Sequence, residues 1–120
     1  KLWDAIGMQV VTTTPQKHDE IVARISHLPH VLATSLCSYL LGQDGEWRKL
    51  AGGGLRDTTR VASGDPDLWK QILEHNREEV LRAIDGFQGE LQELKSSLLD
   101  EDSLALMERL RRGKCFRDQL

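Results

Sequence analysis

The sequence predicts an all-α fold, a bundle with two long helices expected to pair as an intertwined dimer. Three observations predict it. Thr14-Pro15 and Asp65-Pro66 each set a capping side chain before a proline, whose missing N–H costs nothing at the first helical position. Residues 25–43 carry no Asp, Glu, Lys or Arg, yet keep Ser26, His27, His30, Thr34 and Ser35, as a helix enclosed on most sides would. Leu73, Val80, Ile84, Phe87, Leu91, Leu94 and Leu98, with polar Asn76 occupying one seam position, then recur in a heptad-like seam suited to packing along another long helix.

Taken in order, Leu2, Trp3 and Ile6 have the spacing of a short helix end, and Val10 to Thr14 form a β-branched run expected to be extended. The first long helix starts at Thr14-Pro15 and stops at Gly42. At 100° per residue, Ile21, Ile25, Leu28, Leu32 and Leu36 form an apolar face for the core or an interface. Asp19, Ala23, Ser26, His30, Ala33 and Cys37 form a separate stripe. Pro29 removes the amide that would bond to the carbonyl of Ile25, which predicts a kink beside Ser26 and His30. Such a kink frees a carbonyl and can open room beside those two side chains.

A polar turn over Gln43 to Leu50 leads to Gly52-Gly53-Gly54, where tight geometry and close approach are possible. Asp65-Pro66 opens the second long helix, which Gly86 and Gly89 each weaken by about 1 kcal/mol relative to Ala. Acidic Asp100-Glu101-Asp102-Ser103 marks a break before a last amphipathic helix with Leu104, Leu106, Met107 and Leu110.

Composition narrows the function classes. The 120 residues are of single-domain size, and a net charge of −3 with pI near 5.8 leaves no electrostatic footprint for nucleic acid. The one tight basic cluster, Arg109 to Lys114, closes a helix, where cations suit the dipole. Cys37 and Cys115 lie too far apart in unlike contexts for a disulfide framework, which points to a reducing cytoplasm. Ser, His, Pro and Thr interrupt the uncharged run, so a membrane span is rejected, and no signal peptide is visible. The chain opens on Lys1, and Leu2 to Gly7 read like the middle of a fold. A domain of a longer polypeptide is expected; a processed N-terminus is the simpler alternative.

Two constellations could carry chemistry. Ser26 and His30 sit one helical turn apart, where they either bind a ligand or cap carbonyls freed by the kink. Arg56-Asp57-Thr58-Thr59-Arg60 follows the glycines, and Val61-Ala62-Ser63-Gly64 leads out of that block. The block is either a carboxylate or phosphate clamp, since a guanidinium fork holds two oxygens, or a solvent-facing helix start. Trp69, early in the second long helix, fills a core or interface by default and walls a pocket otherwise. His27 and His30 have helical ligand spacing, but no third ligand lies close in sequence, so no metal site is assigned. The glycines lack the G-x-G-x-x-G spacing of a dinucleotide turn, so no cofactor-binding residue is assigned either.

Together these blocks resemble the C-terminal helical domain of prephenate and arogenate dehydrogenases. The likeness rests on Trp3 to Gly7, Lys17-His18-Asp19, Ser26-His27-Leu28-Pro29-His30, Gly52 to Ala62, and Asp65-Pro66 through Trp69 to Asn76. It covers about residues 2–85 and fades to helical periodicity beyond. Leu55 stands where Phe is more usual, a change of packing and not of chemistry.

The resemblance implies a helical fold like the C-terminal domain of 6-phosphogluconate dehydrogenase, a homodimer, and prephenate or arogenate as substrate. It implies a Rossmann domain, absent from this chain, that holds NAD or NADP and supplies the general-base histidine. No catalytic residue is then expected here. Ser26 and His30 would line the substrate site, Arg60 would hold a substrate carboxylate, Asp57 would orient that arginine, and Trp69 would approach the site of the other subunit. The reaction implied is oxidative decarboxylation of prephenate to 4-hydroxyphenylpyruvate, or of arogenate to tyrosine. From a different class, the chain could be a helical homodimerisation or regulatory module with no catalytic role.

Overall fold

The computed structural model describes residues 13–120, and among them all regular structure is helical. The expected helix end at Leu2–Ile6 and most of the extended run at Val10–Thr14 lie outside the described residues.

Helix α1 spans Pro15–Val22. Thr14 is extended and its Oγ1 accepts the Lys17 N–H at 3.1 Å, so the cap-then-proline signature does what its chemistry suggests. The backbone runs on through a turn at Ala23–His27 into α2, Leu28–Leu41. In that turn the Leu28 N–H donates to the carbonyl of Ala23, five residues back instead of four. The kink read from Pro29 is realised as this widened turn. Proline offers no donor to Ile25 and crowds its carbonyl, and widening the preceding turn relieves both.

Asp44 Oδ1 accepts the Glu46 N–H at 2.9 Å and opens a short 3₁₀ turn, Gly45–Leu50. Helix α3 is Gly53–Thr59, followed by a second 3₁₀ turn, Arg60–Ser63. Asp65 Oδ1 accepts the Asp67 N–H at 3.0 Å and starts α4, Pro66–His75. Helix α5 is Arg77–Leu99 and α6 is Ser103–Asp118.

The second long helix is thus divided, and the residue that divides it is Asn76 (φ −118°, ψ 32°). Its side-chain Nδ2 donates to the carbonyl of Asp19 at 2.8 Å. A seam position that pattern alone assigns to packing is spent on a tertiary hydrogen bond to α1.

The chain forms two compact units, Lys1–Val80 and Leu81–Leu120. In the first, α2 packs on α3 and the Arg60–Ser63 turn. Ala23, His30 and Ala33 are the buried residues of the widened turn and α2. Of the stripe Asp19, Ala23, Ser26, His30, Ala33 and Cys37, the residues at 23, 30 and 33 pack within this unit, where small side chains at 23 and 33 permit close approach, whereas Asp19 and Ser26 are exposed. On the opposite face Ile25 is 68% exposed and Ile21 is exposed too, while Leu28, Leu32 and Leu36 are half-buried.

In the second unit α6 folds back on α5, and Glu90 on α5 meets Arg109 at 3.1 Å and Arg112 at 3.7 Å. The reversal uses a Schellman closure: Asp102 N–H donates to Ser97 O, and Glu101 N–H to Leu98 O. Glu101 takes φ 51°, a left-handed conformation that glycine would adopt without strain. Asp102 then caps α6 by accepting the Ala105 N–H at 3.0 Å, at the break read from the acidic run. Leu91, Leu98, Leu104, Met107 and Leu110 remain exposed along this hairpin. No described helix is long and apolar enough to cross a membrane.

Candidate functional site

The site candidates all fall in the first unit. His30 on α2 and Trp69 in α4 stack face to face, ring centroids 3.7 Å apart and planes within 7°. The Asp65 cap sets this geometry, since it starts α4 at Pro66 and places Trp69 just beyond the first turn, its N–H bonded to Asp65 O at 3.1 Å. His27 meets the same indole in a T-shaped arrangement, at 6.1 Å and 85°.

His30 is 6% exposed, and its Nδ1 is buried with no hydrogen-bond partner. Burial lowers the pKa of this imidazole below the ordinary histidine value, so the neutral form is favoured near pH 7. A buried polar atom without a partner costs about 1–3 kcal/mol, and such atoms are rare enough to mark ligand positions. His30, Gly64 and Trp69 line one groove of about 440 Å³, with the Thr34 and Ser35 hydroxyls and Lys70 at its margin.

Ser26 goes elsewhere. It is exposed and lines a second groove of about 450 Å³ with His18, Asp19, His27, His75 and Asn76. The widened turn breaks the register that 100° per residue assumes, so Ser26 and His30 do not share a face. In this second groove, Asn76 Nδ2 approaches His27 Nδ1 at 3.5 Å while it holds the Asp19 carbonyl. His18 Nδ1 lies 3.5 Å from Asp19 Oδ1. The pKa of His27 is lowered chiefly by burial, with Asp19 raising it and His18 adding to the fall.

Asp57 near the end of α3 and Arg60 at the start of the next turn are both exposed, and no ion pair joins them. Arg60 stands two residues before Ala62 and four before Gly64, both in the His30 groove. The five candidates thus occupy three places: His30 with Trp69, Ser26 with His27, and Asp57 with Arg60 on an exposed stretch.

Two residues escaped the sequence reading as site members. Gly64 read as a lead-out from the preceding block, although Gly before the Asp65 cap was the available signal. Asn76 read as a polar interruption of a seam.

The run Gly52-Gly53-Gly54 does not build a dinucleotide turn. The three glycines open a seven-residue helix, and a Cβ on any of them would meet nothing within 4 Å, so no close backbone approach is built there. Among the described residues no set of three His, Cys, Asp or Glu side chains is placed to hold a metal ion.

Comparison with known proteins places these features. The family model described as "Prephenate dehydrogenase, dimerization domain" matches residues 14–112. The chain is 33% identical over 113 residues to prephenate dehydrogenase of Bacillus subtilis, covering 92% of this chain and 30% of that one. It is 31% identical over 116 residues to cyclohexadienyl dehydrogenase of Zymomonas mobilis, covering 93% and 40%. Among solved structures it is similar to Synechocystis arogenate dehydrogenase (29% identity, TM-score 0.88, covering 97% of this chain and 44% of that one). It is also similar to prephenate dehydrogenase from A. aeolicus in complex with hydroxyphenyl propionate and NAD+ (36% identity, TM-score 0.88, 98% and 42%). The chain spans between 30% and 40% of the length of these curated relatives.

Proposed function

Because this chain belongs to the prephenate dehydrogenase dimerization-domain family, we propose that it is the substrate-binding and dimerisation domain of an NAD(P)-dependent prephenate or arogenate dehydrogenase. The observation that carries the reading is the family match over residues 14–112, which takes in every candidate site residue. The overall reaction is oxidative decarboxylation in tyrosine biosynthesis. In this reading the cofactor and the general-base histidine belong to an N-terminal Rossmann domain of the same polypeptide, and the enzyme is cytoplasmic.

The chain's own part is recognition. Prephenate carries two carboxylates, and Arg60 presents an exposed guanidinium not paired with Asp57. A planar fork that holds two oxygens at once suits a carboxylate better than an ammonium does. His30, kept neutral by burial, offers a hydrogen bond without adding charge, and the Trp69 indole gives an aromatic wall for a six-membered ring. Asp57 tunes the arginine through space, and Ser26 reaches substrate from the second groove. The exposed leucines of α5 and α6 meet a second copy, each contributing about 1.5–3 kcal/mol when fully buried.

The test is turnover by the polypeptide that includes the N-terminal domain, with prephenate and arogenate each supplied with NAD+ or NADP+. Oxidation of either substrate with release of carbon dioxide, by a protein that sediments as a dimer, is expected. A dimer that turns over neither substrate with either cofactor returns the chain to a helical dimerisation module.

A further inference from the structure

We propose that Gly64 is a positioning residue for the His30 and Trp69 pair, and that its missing side chain is what lets the indole seat on the imidazole. The inference deepens the substrate-site reading above and rests on it for its kinetic half only.

The geometry is specific. An ideal Cβ on Gly64 would stand 2.8 Å from Trp69 Nε1, 3.0 Å from Trp69 Cδ1 and 3.2 Å from His30 Cε1. The first distance is closer than real Cβ atoms come, and the atom it meets belongs to a rigid ring, not to the flexible end of a side chain. That ring cannot retreat freely, because it already stacks at 3.7 Å on His30 and lies T-shaped to His27 at 6.1 Å. The third distance falls on Cε1, the carbon between the two ring nitrogens of His30. A methyl there presses on the polar edge through which the imidazole would meet a ligand.

The other glycines show why this one differs. Among those whose surroundings are described, only Gly42 also has a neighbour within 4 Å, a backbone oxygen at an ordinary 3.6 Å. Nor does Gly64 serve for an unusual backbone, since its φ of −60° and ψ of 157° suit any residue. The requirement is space. The backbone at 64 is in turn fixed from both sides, by its N–H to Val61 O at 3.1 Å and by the Asp65 cap that follows.

The experiment uses the intact dehydrogenase carrying Gly64→Ala, Trp69→Leu and the pair of changes. Two quantities are read: the titration of His30 by NMR of labelled histidine, and KM and kcat with the dehydrogenase substrate. Gly64→Ala is expected to move the His30 titration toward the ordinary histidine value. It should also raise KM about tenfold, as loss of one hydrogen bond would, with kcat changed less than about twofold. In the Trp69→Leu background the added methyl has room and should change neither quantity. If Gly64→Ala alone does not fold, the double variant should recover folding, and failure to recover overturns the proposal. A His30 titration unmoved by Gly64→Ala also overturns it. A moved titration with unchanged KM upholds Gly64 as the positioning residue and overturns the reading of His30 as a substrate contact.

Discussion

Replacing Trp69 with Ala removes the cover from the most deeply buried imidazole in the described structure, and the consequence can be worked out from the stack. An aromatic pair in this arrangement contributes about 0.5–1.5 kcal/mol beyond the area it buries. Truncating a buried Trp to Ala costs about 3–5 kcal/mol, and Trp69 is half-buried, so a total loss of about 2–3 kcal/mol is expected. The loss should also depend on pH.

In the native protein burial depresses the pKa of His30, so between that value and about 6.5 the unfolded chain binds more protons than the folded one. Stability from this group is fully present above about pH 6.5 and falls as the pH drops through the folded value. Trp69→Ala wets the ring, returns its pKa toward the ordinary value and flattens that fall. His27, also depressed chiefly by burial, adds a fall of the same sign, so the comparison is between variant and parent at each pH. Urea denaturation from pH 5 to pH 8 reads both quantities. A constant difference between the two proteins across that range, or an unchanged His30 titration, would refute the reasoning.

Two further changes test the frame around the site. Glu101→Gly should raise stability by about 1 kcal/mol, because glycine occupies the left-handed closure of α5 without the side-chain clash; thermal denaturation that shows no gain counts against the closure. Asn76→Ala should cost about 1 kcal/mol, with the Asp19 carbonyl still accepting the Ala23 N–H. Asn76→Asp should cost more, because a carboxylate would then face a carbonyl oxygen with no proton to give. An Asp variant as stable as the Ala variant would show that the amide bond does not hold this junction.

Much of this was legible in the sequence because it is local. Thr14-Pro15, Asp65-Pro66 and Asp102 announce helix starts through hydrogen bonds that span two or three residues, and the structure makes each one. Pro29 announced a distortion for the same reason. The form of that distortion was not legible, since a kink and a widened turn both satisfy a missing donor. Only the choice between them decides whether Ser26 and His30 share a face. Asn76 was hidden because its partner lies 57 residues away, and Gly64 because the space it leaves open exists only once Trp69 has been seated. Arg60 stood out by residue type, although the fold leaves it exposed and outside the lining of the His30 groove.

The most direct test of the central claim is therefore Arg60 in the intact enzyme. Arg60→Ala should raise KM for prephenate or arogenate by about 10- to 150-fold, the worth of a charged hydrogen bond of about 1.5–3 kcal/mol. Arg60→Lys should recover only part of it, because an ammonium keeps the charge but not the fork. Kinetics unchanged by Arg60→Ala would contradict the account and take the carboxylate clamp out of this domain.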